Sequence, residues 1–352
     1  MDEKSSFPDP SPDEGLAALN SIGLTYVSDS EPGIRRLRRG KGFSYRLPDG
    51  SLLREGEHKL RIGALGLPPA YEDVWICLDP SGHLQATGLD SRGRKQYRYH
   101  AEWQLFRSEQ KYDQMIGFGE ALPKIRRKLQ RDLEQGLSSP EAVIAALVAL
   151  LDATHLRVGN RAYAKENKTY GATTLLKRHM TLSDERMVLK FTAKGGKRVS
   201  HTIRHPRLQR ILEDIADLPG RQLFSWPDDE GVPRGIDSGR LNTYLAAASG
   251  MPISAKTFRT WGGSLASFIA AWKAVEHEET LRIRMLTEAA SQELQNTPAV
   301  CRSSYIHPTI LALADDADPL RKIMATPKLV EAESSALKAD ERRMLAFLRQ
   351  AP

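Results

Sequence analysis

From Leu24 to about His100 the chain alternates short apolar or aromatic runs with Gly, Pro and Asp: LTYV, GFSYRLPDGSLL, EDVWICLDPSGHLQATGL and KQYRYH. This is the spacing of strands and turns. Asp79-Pro80-Ser81-Gly82 divides two strand-like runs and predicts a β-hairpin. After about Trp103 the period becomes helical, with Met115, Ile116, Leu122, Ile125 and Leu129 separated by basic residues and Gly136 as a stop. A second helix starts at Ser139-Pro140, and EAVIAALVALLDATHL is apolar nearly all round, which places it at the centre of a core. Strand signals return in TTLLKRHMTL and ERMVLKFTAKGGKRVSHTI, where AKGGK reads as a turn. Helical patterns resume in PRLQRILEDIADL, GRLNTYLAAAS, ISAKTFRTWGGSLASFIAAWKAV and EHEETLRIRMLTEAASQELQ.

The expectation is an α+β chain: a small β-rich domain over residues 16–103 and a mainly helical domain with one small sheet over residues 104–352. Residues 1–15 are acidic and rich in Pro and Ser, the composition of a disordered tail. The charged, helix-compatible stretch MATPKLVEAESSALKADERRMLAFLRQ within residues 320–352 predicts a surface helix.

A length of 352 residues suits about two domains, each able to bury its own core. The formal charge of +7 favours a polyanionic partner, nucleic acid before a membrane surface. Two basic segments sharpen that reading: Gly33 to Arg46, and Ser91 to His100, where Arg94, Lys95 and Arg98 interleave with Tyr97 and Tyr99. Cations neutralise phosphates while tyrosines stack or donate hydrogen bonds; a solvated charged face is the alternative. Cys77 and Cys301 are the only cysteines, which argues against a disulfide framework or zinc site and fits a reducing cytoplasm. No basic leader precedes an apolar run, and no stretch nears the roughly 20 apolar residues of a membrane span, so neither secretion nor insertion is expected. Asp315-Asp316-Ala317-Asp318 precedes Pro319 and reads as a solvated turn rather than a metal site. AKGGK lacks the spacing of a nucleotide phosphate loop.

Candidate chemistry centres on LQNTPAVCRSSYIHP, with Tyr305 late in a helix-like segment between two prolines. Tyr305 reads either as a nucleophile, which needs cationic partners because a free phenol has a pKa of about 10, or as a core or interface tyrosine. Arg157 stands where the buried helix meets a Gly turn and requires an anion, either a ligand or a protein carboxylate. Lys194, before the paired glycines, is either a proton donor on a mobile tip or a solvated loop lysine.

The ordered series LRVGNRAYAKENKTYGATTLLKRH, FTAKGGKRVSHTI, KTFRTWGG and LQNTPAVCRSSYIHP resembles the type IB DNA topoisomerases, particularly the short bacterial and poxvirus-like forms. The likeness spans roughly residues 30–310 and includes the DVWICLDPSGHLQATGLDSRGRKQYRYH segment. It implies a helical catalytic domain of the DNA breaking-rejoining, tyrosine recombinase-like fold. It also implies roles: Tyr305 as nucleophile, Arg157 and Arg259 as phosphate clamps, Lys194 as general acid, and Asn296 at the remaining transition-state position. Asn296 departs from the histidine of nuclear and poxvirus members, so it can donate a hydrogen bond but cannot titrate. Arg94, Lys95, Gln96, Tyr97, Tyr99, Tyr163, Lys168 and His201 are the candidate DNA contacts. The implied enzyme is a cytoplasmic, nucleoid-associated monomer that clamps double-stranded DNA and cleaves one strand through a 3′-phosphotyrosyl intermediate. It needs no cofactor, ATP or metal. The alternatives are a tyrosine recombinase, although Lys256 stands where an HxxR motif has histidine, and a non-catalytic DNA-binding protein of the same fold.

Overall fold

Strands with both faces covered read as continuous apolar runs, and Val74, Trp75, Ile76 and Cys77 form such a run at the centre of the first unit's sheet. The computed structural model describes residues 12–350 apart from residues 55, 92, 138, 184 and 185. Two compact units emerge, Met1–Lys111 and Tyr112–Pro352.

In the first unit, α1 (Pro12–Ser21) precedes β1 (Ile34–Arg39), β2 (Gly42–Arg46), α2 (Glu57–Ala64), β3 (Glu72–Ile76), β4 (Leu84–Leu89) and β5 (Lys95–Tyr99). The five strands form one antiparallel sheet in the order β2-β1-β3-β4-β5. Val74 and Ile76 pack with Ile34, Ala86 and Ile62 of α2, while Trp75 and Cys77 pack with Val27 and Leu84. The hairpin expected at Asp79–Gly82 joins β3 to β4. Residues 1–11 of the expected tail lie outside the described residues, but residues 12–15 open α1, whose Leu19 packs with Leu24 and Trp103. Apolar contact downstream orders a segment whose own composition argues for disorder.

α3 (Ala101–Glu134) contains the boundary between the units. The second unit continues with α4 (Pro140–Thr154), α5 (Arg161–Asn167), β6 (Met180–Ser183), β7 (Arg186–Thr192), β8 (Arg198–Ile203), α6 (Pro206–Asp217), β9 (Ser225–Pro227) and β10 (Pro233–Gly235). Next come α7 (Ser238–Ser249), α8 (Ala255–Glu276), α9 (Ile283–Leu294), α10 (Pro298–Ser304), α11 (Pro308–Ala312), α12 (Asp318–Met324), α13 (Pro327–Glu331) and α14 (Ala339–Gln350). As the sequence predicts, Ser139 caps α4 by accepting from the Ala142 amide at 3.2 Å, and nearly the whole helix is buried. β6, β7 and β8 form an antiparallel sheet, and Met187, Leu189 and Phe191 alternate inward from β7. The short β9–β10 hairpin is an addition to the single sheet expected here.

The C-terminal stretch departs from the surface-helix expectation. In α14 Met344, Leu345, Ala346, Phe347 and Leu348 are buried, and the Phe347 ring lies 5.5 Å from that of Phe268 in α8. Its charge misleads because part of it is internal. Glu341, 2% exposed, accepts from Arg126 Nη2 at 2.7 Å, and Arg126 Nε donates to Asp152 at 2.9 Å. Burial pushes both carboxyls up, but hydrogen bonds and charge from Arg126 outweigh it and hold them below the ordinary carboxylate range. Among the described residues no helix is long and apolar enough to cross a membrane. Phe347→Ala should lower unfolding free energy by about 3–5 kcal/mol in a urea titration, whereas a surface position would lose within about 0.5 kcal/mol.

Candidate active site

Positions three and four apart share a helix face, so Arg259, Gly262 and Gly263 form one stripe of α8. A Cβ at Gly262 would lie 2.3 Å from His155 Cγ, and one at Gly263 would lie 2.8 Å from the Tyr305 carbonyl oxygen. The two glycines therefore admit two chain segments against the helix beside Arg259: the end of α4 and the end of α10. Ser264 fastens the second, its hydroxyl donating to the Tyr305 carbonyl at 3.2 Å and accepting from the His307 amide at 2.9 Å.

Arg259 is 3% exposed. Its Nη1 donates to the His155 carbonyl at 2.5 Å, its Nη2 donates to the Leu294 carbonyl at 3.2 Å, and Cζ lies 5.0 Å from the Tyr305 ring centroid. Carbonyls satisfy donors without cancelling the charge, and no carboxylate among the described residues forms an ion pair with Arg259. Its Nε is buried without a hydrogen-bond partner. Such an arrangement is costly unless an anion approaches.

His155 ends α4 in the left-handed region at φ 50°, which turns its carbonyl to Arg259 and sends Arg157 toward α9. The Arg157 backbone is fixed by a crossing in which a Cβ at Gly171 would lie 2.6 Å from the Arg157 carbonyl oxygen, and Ala172 N donates to that oxygen at 2.8 Å. The Arg157 guanidinium donates to Asn296 Oδ1. Asn296 follows the left-handed Gln295 that ends α9; its amide donates to the Ser291 carbonyl at 3.2 Å and its carbonyl accepts from the Ser291 hydroxyl at 2.8 Å. Asn296 Nδ2 is, like Arg259 Nε, a buried donor without an acceptor.

Around this cluster, His155 Nδ1 lies 2.7 Å from Glu293 Oε1. That hydrogen bond, against the opposing effect of burial, keeps Glu293 below the ordinary glutamate range. Burial pushes His201 down from its ordinary value, partly offset by Glu293. His201, Glu293, Gln295 and Lys338 line a cavity of about 610 Å³. The buried Tyr112 phenol is pushed well above the ordinary tyrosine range by burial and by the charge of Tyr305.

Four of the five expected site residues thus come together: Tyr305, Arg157, Arg259 and Asn296. Lys194 does not join them. It stands exposed on the β7–β8 turn before Gly195 (φ 79°) and Gly196 (φ 77°), and no described residue hydrogen-bonds to it. Tyr305 is 4% exposed and part of the core, and the Arg259 guanidinium faces its ring.

A family model of the eukaryotic DNA topoisomerase I catalytic core matches residues 100–301, and one of the bacterial DNA topoisomerase IB N-terminal domain matches residues 42–90. The DNA topoisomerase 1B of Acanthamoeba polyphaga mimivirus is 30% identical over 286 residues, covering 78% of this chain and 85% of the relative. The chain belongs to the type IB DNA topoisomerases. The DNA topoisomerase 1B of vaccinia virus (strain Copenhagen) is 22% identical over 263 residues, 73% of this chain and 80% of the viral one. Among solved structures, a XerH site-specific recombinase bound to palindromic difH substrate aligns with a TM-score of 0.35 and 14% identity, over 55% of this chain and 50% of that one.

In this type IB chain the candidate DNA contacts are spread over both units. On β5 and the turn before it, Arg94 pairs with Asp90 at 2.6 Å, Lys95 pairs with Asp29, Gln96 donates to Asp90 at 2.9 Å, and the Tyr97 and Tyr99 rings stack at 6.1 Å. In the second unit Tyr163 is half-buried on α5, and the exposed Lys168 donates to the Lys165 carbonyl at 3.1 Å. Among the described residues no group of three or more His, Cys, Asp or Glu is placed to hold a metal ion. The supports missed in the sequence are His155, Glu293, Gly262, Gly263 and Ser264. The one available signal was the glycine pair three and four residues after Arg259, which marks close approach on the arginine's own face.

Gly262→Ala forces a methyl into the His155 ring, an overpacking cost of about 1–3 kcal/mol. Because displacement of about 1 Å can cost about 100-fold, strand cleavage measured in a single turnover should fall by that order while far-ultraviolet circular dichroism is unchanged.

Proposed function

We propose that this chain relaxes positively and negatively supercoiled DNA by cutting one strand through Tyr305, letting it rotate, and resealing it. The observation that carries the reading is Arg259, buried without a carboxylate against the Tyr305 ring, together with the unpartnered Asn296 Nδ2. An anion is the missing component, and a backbone phosphate supplies it.

In this scheme the Tyr305 oxygen attacks phosphorus, gives its proton to a solvent water, and forms a 3′-phosphotyrosyl bond as the bond from phosphorus to the 5′-oxygen breaks. Charge builds on the non-bridging oxygens, where Arg157 and Arg259 present always-protonated donors and Asn296 Nδ2 adds a neutral one. Removing one such preorganised donor typically costs about 100-fold to 1000-fold in rate. Lys194, as the ammonium, donates one of its own protons to the leaving 5′-oxygen after its turn moves inward over Gly195 and Gly196, and is recharged from solvent. Religation reverses each step. The phosphotyrosyl linkage keeps the energy of the broken bond, so supercoil strain drives relaxation without nucleotide. A single chain suffices, with the first unit and Tyr163, Lys168 and His201 as further DNA contacts.

The decisive assay is relaxation of positively and negatively supercoiled plasmid in chelator without nucleotide. Complete relaxation of both is expected, and a requirement for metal or ATP would overturn the scheme. Tyr305→Phe should retain DNA binding by gel shift and yield no covalent adduct after denaturation. Lys194→Ala should slow cleavage by about 100-fold to 10,000-fold on ordinary DNA and recover on a substrate with a 5′-sulfur leaving group. Equal impairment on both would remove Lys194 from the acid role.

A further inference from the structure

The two basic segments of the first unit occupy opposite edges of its sheet, β2-β1 at one and β5 at the other. Their charge is not equally available. On the β5 side Arg94 is paired with Asp90 and Lys95 with Asp29, so two of that segment's four cations (Arg92, Arg94, Lys95 and Arg98) already face carboxylates.

The other edge differs. From Gly33 to Pro48 there are six cations, Arg35, Arg36, Arg38, Arg39, Lys41 and Arg46, and no acidic residue. Arg35 pairs with Asp73 at 3.1 Å, which leaves +5. Arg36 has a structural task, donating to the carbonyls of Pro68 and Tyr71 at 3.1 and 2.6 Å and covering the Phe43 ring at 4.2 Å. Arg38, Arg39, Lys41 and Arg46 are exposed, and no carboxylate among the described residues pairs with them. Arg35 and Arg46 stand directly opposite each other across β1 and β2. Like charges in that register destabilise the pair of strands, a cost that a polyanion laid across them would relieve. Leu37, 38% exposed, lies between Arg35 and Arg39 on the same face of β1, so the patch is basic with an apolar spot rather than evenly solvated.

We propose that the β1–β2 hairpin docks on the phosphate backbone of duplex DNA and supplies most of the first unit's salt-sensitive affinity, while β5, where Lys95 already meets a carboxylate and Tyr97 is exposed, sets position. This rests on the DNA reading above and names where its electrostatic part resides. Each phosphate contact neutralised by a cation contributes about 0.9 to the slope of log affinity against log salt on duplex DNA.

The test uses the full chain carrying Tyr305→Phe, so that binding is read without cleavage, and a fluorescein-labelled duplex in anisotropy titrations between about 50 and 200 mM salt. Adding Arg38→Gln, Arg39→Gln and Lys41→Gln together should reduce the slope by about 2–3, and Arg94→Gln with Lys95→Gln should reduce it by less than about 1. Lys41→Glu alone, in an exposed turn, should reduce it by about 1 or more. An unchanged slope in the triple variant and in Lys41→Glu, or a larger loss from the β5 pair, overturns the proposal. With Tyr305 intact, the triple variant should still form covalent adducts at low salt. A parent chain that binds duplex but forms no adduct would sink the cleavage reading alone, since the slopes are measured without it.

Discussion

A guanidinium taken out of water without a carboxylate to meet it is the constraint on which the second unit's architecture turns. Arg259 has two neutral carbonyl acceptors, one from the end of α4 and one from the end of α9, and its third kind of donor, Nε, has none. Stripping a buried charge of its partner typically costs about 3–5 kcal/mol, so the surrounding core must absorb a strain that a simple ion pair would have removed. The nearly all-buried α4 and the internal face of α14 supply such a core. The contrast with Arg126 is instructive. That arginine is also largely internal, yet it meets both Asp152 and Glu341, which makes it a structural fastener with no capacity left for a ligand. Two arginines in one fold are sorted by their acceptors: carboxylates consume the charge, carbonyls aim it.

Aiming requires that three chain segments approach one helix more closely than side chains normally permit. Gly262 and Gly263 create that space, and left-handed residues end both contributing helices, His155 after α4 and Gln295 after α9. Neither is glycine, so each end carries a conformational cost for non-glycine residues. The His155 ring recovers part of it by bonding Glu293, joining the segment that bears Arg157 to the one that bears Asn296. The second link is direct, from Arg157 to the Asn296 side chain. Site geometry is thus held by a closed circuit of α8, the α4 end and the α9 end, with Ser264 adding the Tyr305 segment.

Much of this was legible in the residues. The apolar fullness of α4, the Ser139 cap, the β3–β4 hairpin and the turn at Lys194 all follow from spacing and composition, because each is decided locally. The positions of Tyr305, Arg157, Arg259 and Asn296 came from ordered blocks of resemblance, which no periodicity could replace. What stayed hidden depends on contacts between distant segments. α14 looked like a solvated helix because the partner of Glu341 is 215 residues away in sequence. His155 looked like an ordinary helix end, since nothing local reveals that its carbonyl and its ring would both be used. The pairing of Lys95 with Asp29 likewise could not be read from the β5 segment, which shows only the cation.

The separation of Lys194 from the other four residues agrees with the chemistry proposed for them. Stabilising charge on phosphate oxygens is most effective when donors are already in place, because no reorganisation is then required as the charge develops. A proton donor has a different obligation: it must reach an oxygen that moves away as the strand is released, and must meet it again on return. Donors for the first task belong on packed helix ends, where Arg157, Arg259 and Asn296 stand. A donor for the second belongs on a hairpin whose root is anchored by Phe191 and Val199 and whose tip carries two glycines. On the proposed scheme rigidity is distributed accordingly, with the fixed charges in the core and the proton donor Lys194 at the end of a short hairpin.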